Sequence, residues 1–398
     1  AQAKNPPPGT GTSDIPANIL IMLDNSGSMS AKLYNSVEVY YPLDVATDSS
    51  GNVYVMEYYN NRIKVFNSSG AYLRSFGGFG YGCTTNGRQA TWRYARQFDI
   101  YNDKIYLADT YNHQISVINL DGTCKANVNA KYVYPHSIAV GSTYFYVGFP
   151  NSRLSIHSTN SLQGANHWGV GWLNYSWGMS LNSAEDKLAV ASYNINRVVE
   201  LNVTDQKPSV SLAQQIPAAA SGSAISSYSS SNGYFRRPMD TGYDSNGNIY
   251  ALDLYNHRIQ KFDSSLSYQA KTGSYSTSSG FRYPYGMHID SSDNIYVTDF
   301  YNYAVRQYDT SLTETATYGG GAGTRLDAAK KVIKRIQFTF DWYSWEFKIT
   351  VGRSNECSLG CISLERGRPI GDCANFQHHI DIGYRRCTRC STHESSRI

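Results

Sequence analysis

Six times between residues 41 and 320 the chain repeats one phrase, and that period restricts the fold more than any other feature. The clearest copies read YPLDVATDSSGNVYVMEYYNNRIKVFNSSG from Tyr41, RPMDTGYDSNGNIYALDLYNHRIQKFDSS from Arg237 and YPYGMHIDSSDNIYVTDFYNYAVRQYDTS from Tyr283. Weaker copies start at Phe98, Tyr134 and Trp177. Asn60, Asn112, Asn151, Asn194, Asn256 and Asn302 mark the six, at spacings of 52, 39, 43, 62 and 46 residues. The longest interval holds a Ser/Ala-rich stretch at residues 217–231, which reads as a loop. Within each copy, period-2 apolar runs are separated by short Gly/Asn/Asp turns, the pattern of antiparallel hairpins. Four such strands about every 40–50 residues, six times over, predict a mainly β chain built on a six-bladed β-propeller at residues 40–320.

The phrases PLDVATD, GNVYVME and NNRI, with their counterparts in copies five and six, resemble the NHL repeat. Strand alternation puts the turn between the second and third strands on the face where each blade begins. That face then carries Tyr59-Asn60, Tyr111-Asn112-His113, Tyr193-Asn194, Tyr255-Asn256-His257 and Tyr301-Asn302, with Pro150-Asn151 in copy three. NHL repeats commonly have Gly where these turns have Tyr. Asn suits a turn because it tolerates left-handed backbone and bonds locally. Tyr gains nothing from a turn, so the rings either pack between blades or form a recognition surface of large area and few rotors.

A second column is expected at the blade starts: Asp44, Asp99, Ser137, Gly178, Asp240 and Gly286. Its three carboxylates either ring the channel mouth and hold a hard cation such as Ca²⁺, or cap backbone N–H groups between blades. Cys83, in the connection between the first two blades, and Cys124, at the outer strand of the second, are placed to form a disulfide.

Outside the repeats, the apolar run ANILIML from Ala17 leads into Asp24-Asn25-Ser26-Gly27-Ser28, a D-x-S-x-S sequence. One carboxylate and two hydroxyls on alternating positions suit Mg²⁺. After the repeats, TRLDAAKKVIKRI from Thr324 has a helical apolar face, and two alternating runs follow, through Phe338, Phe340 and Trp342 and then Trp345, Phe347, Ile349 and Val351. These segments resemble the metal-ion-dependent adhesion motif and first helix of von Willebrand factor A domains. The resemblance implies a partial α/β A-like flank, residues 17–39 and 321–352, split by the propeller, with Mg²⁺ at Asp24, Ser26 and Ser28. The combination is similar to PilY-type adhesins of type IV pili. Residues 1–16 then form an extended leader, opening on Ala1-Gln2-Ala3 like the end of a signal-peptidase site.

Residues 353–398 form a tail rich in Cys and Arg, open to three readings: a zinc site, disulfides, or an end without selected structure. Charge narrows the partners. Residues 41–320 carry 20 Lys+Arg and 20 Asp+Glu, whereas residues 321–398 carry 13 and 8. A neutral body is a poor nucleic-acid binder, and no run of 18 apolar residues provides a membrane span. The sequence therefore points to an exported adhesion protein at the cell surface, associated with pilus subunits, whose Tyr-Asn face takes a protein or glycan ligand. The alternative is a propeller enzyme of the amidating-lyase or lactonase type with a channel metal, although His136 and His288, in first strands one position out of register, do not align as a ligand ring.

Overall fold

A computed structural model describes residues 38–83, 87–169, 173–203, 211–217, 228–277, 280–319, 336–341 and 346–351. The chain divides into two compact units, Lys32–Gly323 and the remainder, Ala1–Ala31 with Thr324–Ile398.

The larger unit is a six-bladed β-propeller. Blade one is β1 (Pro42–Thr47), β2 (Val53–Glu57), β3 (Arg62–Phe66) and β4 (Tyr72–Gly77). Blade two is β5 (Phe98–Tyr101), β6 (Lys104–Asp109), β7 (Gln114–Asn119) and β8 (Cys124–Asn129). Blade three is β9 (Ser137–Val140), β10 (Tyr144–Gly148), β11 (Arg153–Ser158) and β12 (Gly164–Gly169). Blade four is β13 (Ser176–Leu181), β14 (Lys187–Ser192), β15 (Arg197–Asn202) and β16 (Ser211–Ile216). Blade five is β17 (Pro238–Tyr243), β18 (Ile249–Asp253), β19 (Arg258–Phe262) and β20 (Tyr268–Thr272). Blade six is β21 (Pro284–Ile289), β22 (Ile295–Asp299), β23 (Ala304–Tyr308) and β24 (Glu314–Gly319).

Every blade is a separate four-stranded antiparallel meander. The inner strands touch in the order β1, β5, β9, β13, β17, β21 and back to β1, so the ring is closed. No strand is shared across the seam between blades six and one. Thr298 Oγ1 donates to the Leu43 carbonyl there, Thr47 Oγ1 meets His288 Nε2 at 2.9 Å, and Val39 packs on Gly319.

Burial explains the strand compositions. Val53–Glu57 is buried at every position because both faces of β2 lie against a neighbouring blade, so the run VYVME need not alternate. Outer strands such as β8 alternate buried and exposed residues, because one face meets solvent. Gly178 and Gly286 are required by close approach. A methyl group on Gly286 would meet Asp44 and the Leu43 carbonyl, and one on Gly178 would meet Asp240 and the Met239 carbonyl.

In the smaller unit, β25 (Ile336–Asp341) and β26 (Glu346–Val351) pair antiparallel, with Ile336 opposite Val351 and Asp341 opposite Glu346. Ile336, which the helical periodicity assigns to the end of a helix, instead opens β25, where it begins the alternating run Ile336, Phe338, Phe340. Residues 324–335 of that expected helix, the motif of Asp24, Ser26 and Ser28, and the tail cysteines lie outside the described residues. No helix among the described residues is long and apolar enough to cross a membrane.

Candidate functional site

The pairings of Pro42 with Glu57, Pro238 with Asp253 and Pro284 with Asp299 put the start of the first strand and the end of the second at the same edge of the disc. The Tyr-Asn turns and the blade starts therefore share one face.

The Asn residues of these turns are engaged inside their own blades. Asn60, Asn112, Asn256 and Asn302 each donate Nδ2 to the carboxylate three residues earlier, Glu57, Asp109, Asp253 and Asp299, at 2.8–2.9 Å. The same carboxylates accept the backbone N–H of Tyr40, Arg93, Arg236 and Arg282, in the segment that leads into the inner strand of the same blade. Third-strand cations complete three of these clusters: Arg62 with Glu57, Arg258 with Asp253 and Arg306 with Asp299. In blade four, Asn194 instead donates to Asn174 and accepts from Arg237.

Left-handed backbone falls not on these Asn residues but just after them, at Asn61, His113, Ser152, Asn196, His257 and Tyr303. That position fastens neighbouring blades. Asn61 and Asn196 accept the backbone N–H of Tyr94 and Arg237 through Oδ1, and His113 and His257 accept those of Tyr134 and Tyr283 through Nδ1. The sequence reading of His113 and His257 as surface contacts overlooked this joint.

The rings remain. Tyr59, Tyr111, Tyr255 and Tyr301 are 54%, 41%, 39% and 37% exposed, which keeps them on the surface, whereas Tyr193 is half-buried. Beside them stands a set that sequence reasoning missed. Tyr41, Tyr94, Tyr134, Tyr175, Arg237 and Tyr283 occupy equivalent blade-start positions, and all six have positive φ, a rare state for bulky residues. The shared Tyr or Arg before Pro42, Pro135, Pro238 and Pro284 was the available signal. Turn rings and blade-start rings interleave around the face. Tyr41 lies 4.9 Å from Tyr59 and 5.8 Å from Tyr301, and Tyr283 lies 5.4 Å from Tyr301 and 5.8 Å from Tyr255. Tyr111 lies 5.7 Å from both Tyr94 and Tyr134, and the Arg237 guanidinium covers Tyr193 at 4.6 Å.

Inside the belt, the channel column differs from its sequence reading at one place. Asp44 Oδ2 accepts the Phe98 N–H of the next blade, Gln97 Oε1 that of Ile138 and Asp240 Oδ2 that of Met287, each at 2.8–2.9 Å. This shared pattern makes Gln97, not Asp99, the member from blade two. Asp99 lies two residues farther along and accepts the Val140 N–H. Gln97 Nε2 also reaches Asp240 Oδ1, in the blade opposite, at 3.2 Å. One oxygen of each carboxylate, Oδ2 of Asp44, Asp99 and Asp240, thus accepts from a neighbouring blade, the capping role that the sequence also allowed. Among the described residues, no three His, Cys, Asp or Glu side chains gather in a metal-holding group. His136 stands at the channel mouth in blade three and His288 at the seam on Thr47, so these two do not meet as ligands.

Burial, above all, lifts the carboxyl of Asp240 to about 8, against the N–H groups that hold its charged form. Asp44 is raised by burial and then by the nearby Asp240 charge. An acid whose folded pKa lies above its ordinary 3.8 contributes stability that is complete below that value and lost as pH climbs toward the folded pKa. The melting temperature should therefore decline between about pH 5 and pH 8 by an increment that Asp240→Asn removes. Thermal unfolding of both proteins across that range checks this, and parallel curves would show that Asp240 does not carry the pH dependence.

The profile of the NHL repeat matches residues 39–66 and 235–262, the first three strands of blades one and five with their lead-in residues. No curated protein matches the chain. Among solved structures, a structural-genomics protein of unknown function from Bacteroides thetaiotaomicron is 11% identical, with a TM-score of 0.54 over 71% of this chain and 72% of its own. A streptogramin B lyase is 12% identical, with a TM-score of 0.49 over 74% and 88%. Virginiamycin B lyase from Staphylococcus aureus is 12% identical, with a TM-score of 0.46 over 71% and 85%. At such identities the likeness concerns fold alone, and the fold is a six-bladed propeller with NHL repeats matched in blades one and five.

Proposed function

We propose that the chain is an extracellular binding protein without chemistry of its own, an adhesin whose recognition face is the aromatic belt. One observation carries the reading. On the face where blades begin, Asn side chains and several left-handed residues are engaged within the propeller, yet four turn tyrosines remain exposed. Large, stiff rings with hydroxyl tips, standing together around one opening, suit a protein or glycan surface. Low charge content and the paired Cys83 and Cys124 fit an oxidising, exported setting. Association with a type IV pilus, and Mg²⁺ at Asp24, Ser26 and Ser28, rest on the sequence of the flanks alone.

The test is Tyr255→Ala combined with Tyr301→Ala. Attachment of the labelled protein to glycan-coated and protein-coated surfaces should fall at least tenfold, with the melting temperature changed by only a few degrees. Unchanged attachment, or stability lost on the several-kcal/mol scale of a core truncation, would return these rings to a packing role.

A further inference from the structure

The opening inside the aromatic belt has the makings of a specific pocket. Two residues beyond each left-handed blade-start residue the six blades place Leu43, Arg96, His136, Trp177, Met239 and Tyr285. Several of these meet although their blades are not adjacent. The Arg96 guanidinium of blade two lies 4.9 Å from the Trp177 ring of blade four and 5.1 Å from the Tyr58 ring of blade one. Trp177 lies 5.5 Å from His136 of blade three and 6.5 Å from Tyr285 of blade six. Tyr175 stacks on Trp177 at 5.4 Å. Contacts that skip a blade occur only near the axis, so Arg96 stands at the centre of the mouth, walled by rings.

Its Nε is unanswered. Arg62, Arg258 and Arg306 each pair with a carboxylate, but among the described residues Arg96 forms no salt bridge. Arg96 Nε and His136 Nδ1 are buried without a hydrogen-bond partner. A guanidinium is a planar fork matched to an oxyanion, and it gains most where aromatic walls keep water away. Burial, with Arg96 beside it, lowers His136 to about 3, so this imidazole is neutral and, of the six residues at this level, Arg96 alone carries a charge. One charge matches a monoanion better than a phosphate dianion. The surrounding rings provide electron-rich faces for the slightly positive C–H face of a sugar, and the phenol hydroxyls can meet its hydroxyl groups.

We propose that the propeller mouth binds a carboxylate-bearing sugar residue, with its carboxylate on Arg96 and its ring face among the exposed tyrosines of the surrounding belt. This rests on the recognition-face reading and gives it a ligand class, an acidic glycan of the uronic-acid kind. The probe is a galacturonate oligosaccharide, titrated into the full chain and followed by Trp fluorescence and calorimetry. Saturable binding is expected, and the methyl-ester form of the same oligosaccharide should bind at least tenfold more weakly. Arg96→Gln should reduce affinity at least tenfold, with Arg96→Lys intermediate because it keeps the charge but loses the fork. Thermal unfolding should show both variants folded.

Absence of saturable binding by the intact chain overturns the proposal, as does equal affinity of wild type and Arg96→Gln. Tighter competition by inorganic phosphate, or by a peptide with a free C-terminal carboxylate, would also overturn it by assigning the mouth to another ligand. The two readings fail separately. If uronate binding is absent while the Tyr255/Tyr301 pair still loses attachment, only the sugar assignment falls. If attachment survives that pair, the recognition face itself falls.

Discussion

Replacing Asp253 by Ala should destabilise the propeller by about 3–5 kcal/mol, the range for removing one partner of a buried ion pair. The carboxylate is fully buried and is the hub of blade five's edge. It accepts the Arg236 N–H at 2.7 Å and Asn256 Nδ2 and Arg258 Nε at 2.8 Å each. Without it, the buried Arg258 guanidinium keeps only the Ser230, Ser231 and Tyr234 carbonyls. Urea unfolding should show a lower midpoint with an unchanged slope. Asp253→Asn, which keeps an acceptor but no charge, should lose less. A loss below about 1 kcal/mol for the Ala variant would mean that the edge does not depend on the charge, as for many surface pairs.

Breaking the Cys83–Cys124 bridge should have a comparable effect. The two Cα atoms lie 5.2 Å apart, and the bridge closes a loop over a sequence separation of 41. Chain entropy alone assigns such a loop about 4 kcal/mol. Both half-cystines are buried, and the connection carrying Cys83 is also tied to the edge of blade two by main-chain bonds between Arg88 and Cys124 and between Ala90 and Gly122. Dithiothreitol should lower the melting temperature of the wild type and leave a Cys83→Ser, Cys124→Ser variant unmoved. Equal melting with and without reductant would show that those main-chain bonds hold the connection unaided.

The blades were legible because strand period and turn chemistry are local properties. Val53–Glu57 and its counterparts announce themselves one copy at a time. The channel column was legible only in part. In blade two, Tyr94-Ala95-Arg96-Gln97 lacks both the Pro and the Asp of its equivalents, so Asp99 was the nearest carboxylate on which to align. Only the bond from Ile138 N–H to Gln97 shows the true register, and that bond joins two blades. Arg96 was less visible still. Its neighbours come from four other blades, one or two residues from each, and no local motif records such a meeting. Exposure was equally hard to read, since Tyr193 shares the turn grammar of Tyr59 yet is half-buried near Arg237 and Trp177.

The seam between blades six and one gives the propeller an uneven response to mechanical load. Tension along the chain enters at Val39 and leaves at Gly319, and these two residues are in contact. A pull therefore acts across almost no lever arm, and five of the six junctions carry none of it. The loaded junction is bridged by side chains, Thr298 to the Leu43 carbonyl, His288 to Thr47 and the Tyr318 hydroxyl to the Ser68 carbonyl, with no strand crossing it. Below the force that parts these contacts the disc rides on the chain as an unstretched bead.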